Sequence, residues 1–182
     1  MPERVDLHGV GIYGVHLIAL TLHRDERGFV AEHFRRSWIP GMRGPVQMNL
    51  SRSGPNVLRG LHFHRLQADY WTVLEGSAFI GLYDLRRGSP TQGQGVGFEV
   101  AAADPRCVFI PKGVAHGFYT SGGLLLHYLV DEYYTGGDEY GVAWDDPGLG
   151  IGWPARDPVL SDRDRANPSL DDVLVDPPAY EG

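Results

Sequence analysis

Val57-Leu58-Arg59-Gly60-Leu61-His62-Phe63-His64-Arg65-Leu66-Gln67-Ala68-Asp69-Tyr70-Trp71-Thr72-Val73-Leu74-Glu75-Gly76 reads as two strands joined by a short loop. Successive side chains of a strand point to opposite faces, so His62 and His64 share one face while Leu61 and Phe63 take the other. An ordinary half-buried sheet face carries Val, Ile or Leu. Two imidazoles, each needing a hydrogen-bond partner, mark either a solvated face or one that does chemistry.

Working outward, Gly14 to Leu22 and Phe29 to Phe34 read as strands of a hairpin around the turn Asp25-Glu26-Arg27-Gly28. Pro45 to Ser51 follows, with Gln47, Asn49 and Ser51 on one face and Met48 and Leu50 on the other. That polar face suits either solvent or a ligand. Beyond Gly76, strands are expected over Ser77 to Leu85, Gly97 to Val100, Cys107 to Ile110, His116 to Thr120 and Leu124 to Val130. Short strands at close spacing, with no long amphipathic segment between them, predict an all-β sandwich or jelly roll rather than a βαβ sheet. The later segment is irregular, with Trp144 and Trp153 expected to pin it to the barrel. Around Asn167-Pro168-Ser169-Leu170-Asp171-Asp172 a cap candidate, a proline placed at the first helical position and early acids predict a short helix, and the last residues are expected to fray.

The 182 residues have room for one core and show no shift in make-up, so a single domain over 1–182 is expected. Hydrophobic residues at 42% and charged residues at 21% suit a globular protein, and 25 Gly with 13 Pro imply many turns. A net charge of -7 argues against a nucleic-acid backbone as partner, though not against one phosphate held by an arginine. Cys107 is the only cysteine, which rules out an intrachain disulfide and fits a reducing cytoplasm. No signal peptide or membrane span is expected, since no charged segment leads into an apolar run and no run is long enough.

Several motifs fall in one order: Arg59-Gly60-Leu61-His62-Phe63, Asp84-Leu85-Arg86, Gly88-Ser89-Pro90-Thr91, and Ile110-Pro111-Lys112-Gly113-Val114-Ala115-His116-Gly117-Phe118. Tyr128, Tyr133-Tyr134, Glu139, Trp144-Asp145-Asp146-Pro147, Ile151-Gly152-Trp153-Pro154 and Ser161-Asp162-Arg163-Asp164 continue the series. On these motifs the chain resembles the dTDP-4-dehydrorhamnose 3,5-epimerase family, from about the first hairpin to near the end.

The resemblance implies a cupin-type double-stranded β-helix, or jelly roll, usually a homodimer that exchanges its early strands, acting on nucleotide-linked 4-keto-6-deoxyhexoses without a required cofactor. It implies His62 as the base that removes a proton beside the 4-keto carbon, Asp164 as its partner, and Tyr128 as the acid on the opposite face. Arg27, Glu32, Gln47, Asn49, Arg59, His116 and Tyr134 are the implied substrate contacts, with arginine suited to a diphosphate because its fork donates to two oxygens. Arg59 lies three residues from His62, out of phase on an ideal strand. Sharing a pocket therefore requires a bulge at Gly60.

The chain also departs from the pattern of the family it resembles. His64 replaces the usual glutamine, Asp69 stands where a pocket lysine is expected near the keto oxygen, and Val30 takes the place of an aromatic that stacks on thymine. An ionised aspartate would repel an enolate that a lysine would stabilise. Two alternatives follow. His62, His64, Asp69 and His116 together read as a divalent metal site, which would make the protein a metal-dependent isomerase or oxygenase. A non-catalytic sugar-nucleotide binder is the other.

Overall fold

The structure, a computed structural model, describes residues 4–6, 11–39 and 42–181. The reading of no leader touches the first three residues and lies outside the described ones, whereas the end expected to fray is docked up to Glu181: the Arg87 amide donates to the Pro178 carbonyl and the Tyr180 amide to the Arg87 carbonyl. Ten strands hydrogen-bond into two antiparallel layers. One layer runs β1 (Arg4–Asp6), β2 (His16–Ala19), β9 (Arg106–Ile110), the first half of β7 (Asp69–Asp84), β11 (Leu124–Val130) and β5 (Gln47–Ser53). The other runs β8 (Gly95–Ala101), the second half of β7, β10 (Val114–Thr120), β6 (Val57–Phe63) and β12 (Tyr140–Gly141). The remaining strands, β3 (His23–Asp25) and β4 (Gly28–Val30), form a separate two-stranded hairpin.

The strand expected to stop at Gly76 and the one expected to start at Ser77 are a single 16-residue strand that passes from one layer to the other. Gly76 makes that passage feasible. Its φ is +76° and a Cβ there would lie 2.2 Å from the Gly123 carbonyl oxygen, so the bend admits no side chain. Conversely, the early strand expected over Gly14 to Leu22 shortens to β2. Leu20 still donates to the Pro105 carbonyl, but proline has no N–H to continue the ladder. A hairpin does turn at Asp25 and Gly28, but its first strand is β3, running into the stretch expected to be the turn, and not the expected Gly14 to Leu22, whose β2 pairs with β1 and β9 instead.

The inward positions of both layers build the main core: Trp71 and Val73, Ala78, Ile80 and Leu82 from β7, Val114 and Phe118 from β10, and Leu124 and Leu126 from β11. Outer faces are covered too. Trp38, Ile39 and Met42 pack over Tyr70, Cys107 and Phe109, while Val142, Leu149 and Leu170 pack over Leu61, Phe63 and Tyr83. Burial on both faces explains why β7 reads as a nearly continuous apolar run instead of alternating. Trp153 does pin the irregular segment, its ring against Phe79 and its indole N–H on the Trp144 carbonyl.

Two short helices close the chain, α1 (Asp162–Arg165) and α2 (Leu170–Val173). α2 lies where a helix was expected but starts two residues later. Its cap is Ser169, in a reciprocal box with Asp172, and Pro168 precedes the cap rather than following it. α1 was not foreseen.

Candidate active site

The same two-residue period that lines the core also lines a cavity of about 450 Å³. On β11 the inward series Leu124, Leu126 ends in Tyr128; on β10 His116 sits between Val114 and Phe118; on β7 Asp69 precedes Trp71 and Val73. The barrel interior thus changes from hydrocarbon to titratable groups without any change of fold.

Strand β6 supplies His62, and the bulge required at Gly60 is present. His62 pairs with His116 and Arg59 with Phe118, so Gly60 and Leu61 together oppose Gly117 alone. Gly60 has φ +124° and a Cβ on it would lie 2.7 Å from the Gly117 Cα. Only glycine fits, and the extra residue turns both Arg59 and His62 toward the cavity. Arg59 donates its Nε–H to the Ser53 hydroxyl at 3.1 Å, which aims the terminal guanidinium nitrogens elsewhere.

Asp164 approaches from α1. Ser161 caps that helix, its hydroxyl accepting from the Asp164 amide, and the turn directs the buried Asp164 carboxylate onto His62 Nε2 at 2.6 Å. Burial alone would raise the Asp164 carboxyl. The hydrogen bond and charge of His62, with the Ser161 hydroxyl and the Gly60 amide, outweigh burial and hold it below the usual carboxylate range. An ionised carboxylate only accepts, so Nε2 carries a hydrogen, and the neutral form of the ring, whose side chain is 22% exposed, then has its lone pair on Nδ1. Tyr128 is pushed upward by burial and by the negative charges of Asp69 and Glu139, against the opposing effect of Arg59. It keeps its phenolic proton at neutral pH.

A second cluster lies alongside. His64, Asp69 and His116 are all buried, with one ligand-type atom of each within 4.8 Å of the others. Burial alone would raise Asp69, but the hydrogen bond with His116 and the charges of His116 and His64 outweigh it and lower the carboxyl. His64 is lowered by burial above all, with Asp69 opposing and His116 reinforcing. The four-residue metal set expected from the sequence is corrected here, because His62 is held by Asp164 and stands outside this group.

Of the expected substrate contacts, Gln47, Asn49, Arg59, His116 and Tyr134 line the cavity. The Tyr134 amide donates to Gln47 Oε1, which in turn places Gln47 against Asn49. Arg27 and Glu32 do not line it. Arg27 is an exposed hairpin residue paired with Asp25, and Glu32 is paired with Arg35. Glu139 and Arg163 are wall residues with no role expected from their motifs, joined by an ion pair at 2.5 Å. The signal was there in the Ser161-Asp162-Arg163-Asp164 motif, but nothing local says that Arg163 reaches back to Glu139. The buried cluster Asp84, Arg86, Ser89 and Thr91 explains two other motifs structurally: Arg86, Ser89 and Thr91 all donate to the Asp84 carboxylate.

With this geometry in hand, known proteins give a consistent comparison. Residues 10–172 match the dTDP-4-dehydrorhamnose 3,5-epimerase family. The chain is 39% identical over 160 residues to the dTDP-4-dehydrorhamnose 3,5-epimerase of Salmonella typhimurium, covering 83% of this chain and 87% of that one. The Pseudomonas aeruginosa enzyme of the same name is 40% identical over 157 residues, covering 82% and 87%. Among solved structures, the dTDP-6-deoxy-D-glucose-3,5-epimerase of Legionella pneumophila, in complex with dTDP-4-keto-L-rhamnose, superposes with a TM-score of 0.89 at 34% identity over 100% of both chains. NovW, a 4-keto-6-deoxy sugar epimerase from the novobiocin cluster of Streptomyces spheroides, gives 0.90 at 33% identity, covering 99% of this chain and 94% of that one. The two-layer barrel is therefore the cupin-like jelly roll of these proteins, and the His62–Asp164 pair lies inside the matched stretch. The chain belongs to the dTDP-4-dehydrorhamnose 3,5-epimerase family.

Proposed function

We propose that the protein is an isomerase that inverts carbon 3, carbon 5 or both of a nucleotide-linked 4-keto-6-deoxyhexose, with His62 as base, Asp164 as its partner and Tyr128 as acid. The observation that carries the reading is the 2.6 Å His62–Asp164 contact in a cavity shared with Tyr128. His62 Nδ1 takes the proton from the carbon next to the ketone, and the electron pair moves onto the keto oxygen as an enolate. Collapse of the enolate takes a proton from the Tyr128 hydroxyl on the opposite face. Imidazolium and phenolate then return to their starting states by exchange with water, so nothing is consumed. Asp164 acts on the charged intermediate state, since a carboxylate beside a developing imidazolium stabilises it and fixes its tautomer. General acid–base steps of this kind contribute about 10²–10⁴-fold each.

Arg59, tethered by Ser53, suits the diphosphate, and the face of Gln47 and Asn49 suits the sugar or base. Arg27 and Glu32 fit the reading only through a second copy, and a homodimer is part of the proposal. Among the described residues edge strand β5 pairs with β11 alone, and it turns Met48 and Leu50 outward, 67% and 66% exposed, with Phe29 and Val30 also exposed on the hairpin. A cytoplasmic setting is inferred from the single, buried cysteine; no helix among the described residues is long and apolar enough to cross a membrane.

The test is exchange of the carbon-bound protons of a dTDP-4-keto-6-deoxyhexose into deuterated water, followed by mass spectrometry. Wild type exchanges and His62→Asn does not. Equal exchange by both removes the assignment.

A further inference from the structure

The second cluster sets a problem in hydrogen bonding that the proposed epimerase chemistry does not solve. His64 Nδ1 lies 2.5 Å from the Asp138 carbonyl oxygen and His116 Nδ1 lies 2.9 Å from the Val114 carbonyl oxygen. A carbonyl only accepts, so each Nδ1 carries the hydrogen. Both Nε2 atoms are thereby left to face one atom, Asp69 Oδ2, at 3.8 Å from His64 and 3.1 Å from His116. The other Asp69 oxygen is already occupied, accepting from Gln67 Nε2 at 3.0 Å. A proton on His116 Nε2 would satisfy one of these contacts. It would leave the His64 lone pair facing the same oxygen, in a site where all three residues are less than a tenth exposed.

We propose that His64, Asp69 and His116 bind one divalent transition-metal cation, of the class of zinc, manganese, iron or cobalt. Imidazole and carboxylate donors select these over magnesium or calcium, which take oxygen ligands. Neighbouring ligands at about 2.0–2.1 Å from such an ion stand roughly 2.9–3.4 Å apart. The His116–Asp69 separation of 3.1 Å matches, and the His64–Asp69 separation of 3.8 Å needs a few tenths of an ångström of closure. The supporting shell is already built, because a histidine ligand normally donates its other N–H to a backbone carbonyl or carboxylate. His64 is fixed further by Asp138, whose carboxylate accepts from the Arg65 and Leu66 amides, and His116 by the edge of the Trp71 ring.

Three protein ligands leave coordination positions open toward the cavity that His62 and Tyr128 line. Resting on the epimerase reading, the ion polarises the keto oxygen and holds the enolate, so that the anionic Asp69 serves the reaction through the cation instead of opposing it.

The experiment begins with protein stripped by chelator and checked for retained fold by circular dichroism. Zinc and cobalt are then titrated in, with calorimetry for zinc and visible absorption for cobalt, whose bands report nitrogen and oxygen ligation. One equivalent per chain is expected, with affinity reduced at least tenfold in His64→Gln and in Asp69→Asn and a thermal midpoint that rises with zinc in wild type only. Folded stripped protein that binds no stoichiometric ion, or variants that bind as wild type does, would overturn the proposal. Deuterium exchange on the same samples separates the two readings. Binding without exchange keeps the metal site and removes the epimerase; exchange by stripped protein that binds no ion does the reverse.

Discussion

Replacing Asp164 by asparagine tests the catalytic geometry at its most sensitive contact. Asparagine keeps the shape and can still accept from His62 Nε2, so the 2.6 Å contact survives as a neutral hydrogen bond. What is lost is the charge. A hydrogen bond to a charged group contributes about 1.5–3 kcal/mol, where a neutral one contributes about 0.5–1.5, and opposite unit charges about 4 Å apart near a protein surface attract by about 4 kcal/mol. The imidazolium formed on proton abstraction therefore loses between about 1.5 and 4 kcal/mol. At 1.4 kcal/mol per decade, kcat falls roughly ten- to a thousandfold, with KM little changed because the loss falls on the charged intermediate rather than on bound substrate. Deuterium incorporation into a dTDP-4-keto-6-deoxyhexose measures the rate directly. Linkage supplies an independent readout. Asp164 is lowered on folding, so its ionised form contributes stability above its unfolded value of about 3.9, and that contribution disappears as pH falls through the lower folded value. Wild type is accordingly the more stable protein at neutral pH, and the two unfolding curves converge in acid. A folded variant that exchanges at the wild-type rate would refute the pairing.

Tyr128→Phe should retain exchange at carbon, since His62 is untouched, while losing inversion about 10²–10⁴-fold; product configuration by NMR separates the two. Asp84→Asn leaves Arg86 as an unpaired cation in a site where Asp84 is 0% and Arg86 4% exposed, which costs about 3–5 kcal/mol, or a fall in Tm of roughly 10 °C, by calorimetry. Asp84 is also held low: burial would raise it, but Arg86, Ser89 and Thr91 outweigh burial, so this stabilisation is present above pH ~4 and fades below it. Gly60→Ala forces a Cβ to 2.7 Å from Gly117 at φ +124° and should yield a protein that loses both stability and exchange, whereas Gly122→Ala, with open space around it, should not. Met48→Asp with Leu50→Asp places two charges on the outer face of β5 and should shift the sedimentation profile toward monomer; an unchanged profile removes that face from the dimer.

How far the sequence reached differs from element to element. Alternation in Leu124 to Val130 fixed that strand to the residue and put Tyr128 in phase with the core, because a period of two is a local property of extended backbone. The same rule split Gln47, Asn49 and Ser51 from Met48 and Leu50 correctly, and its failure between Arg59 and His62 announced the bulge at Gly60. Composition and strand spacing were enough for an all-β class, and ordered motifs were enough for the family. None of these says which distant groups meet. Asp164 reaches His62 across 102 residues only because a cap at Ser161 turns a short helix inward, and Arg163 finds Glu139 by the same packing. The ligand set is the clearest case. Spacing along the chain placed His62 with His64, Asp69 and His116, but spacing carries no information about a competing partner. Tertiary structure gave His62 to Asp164 and left two imidazoles, each pinned by a backbone carbonyl, converging on one oxygen of Asp69, an arrangement set by where three strands and a loop cross and not by any one of them.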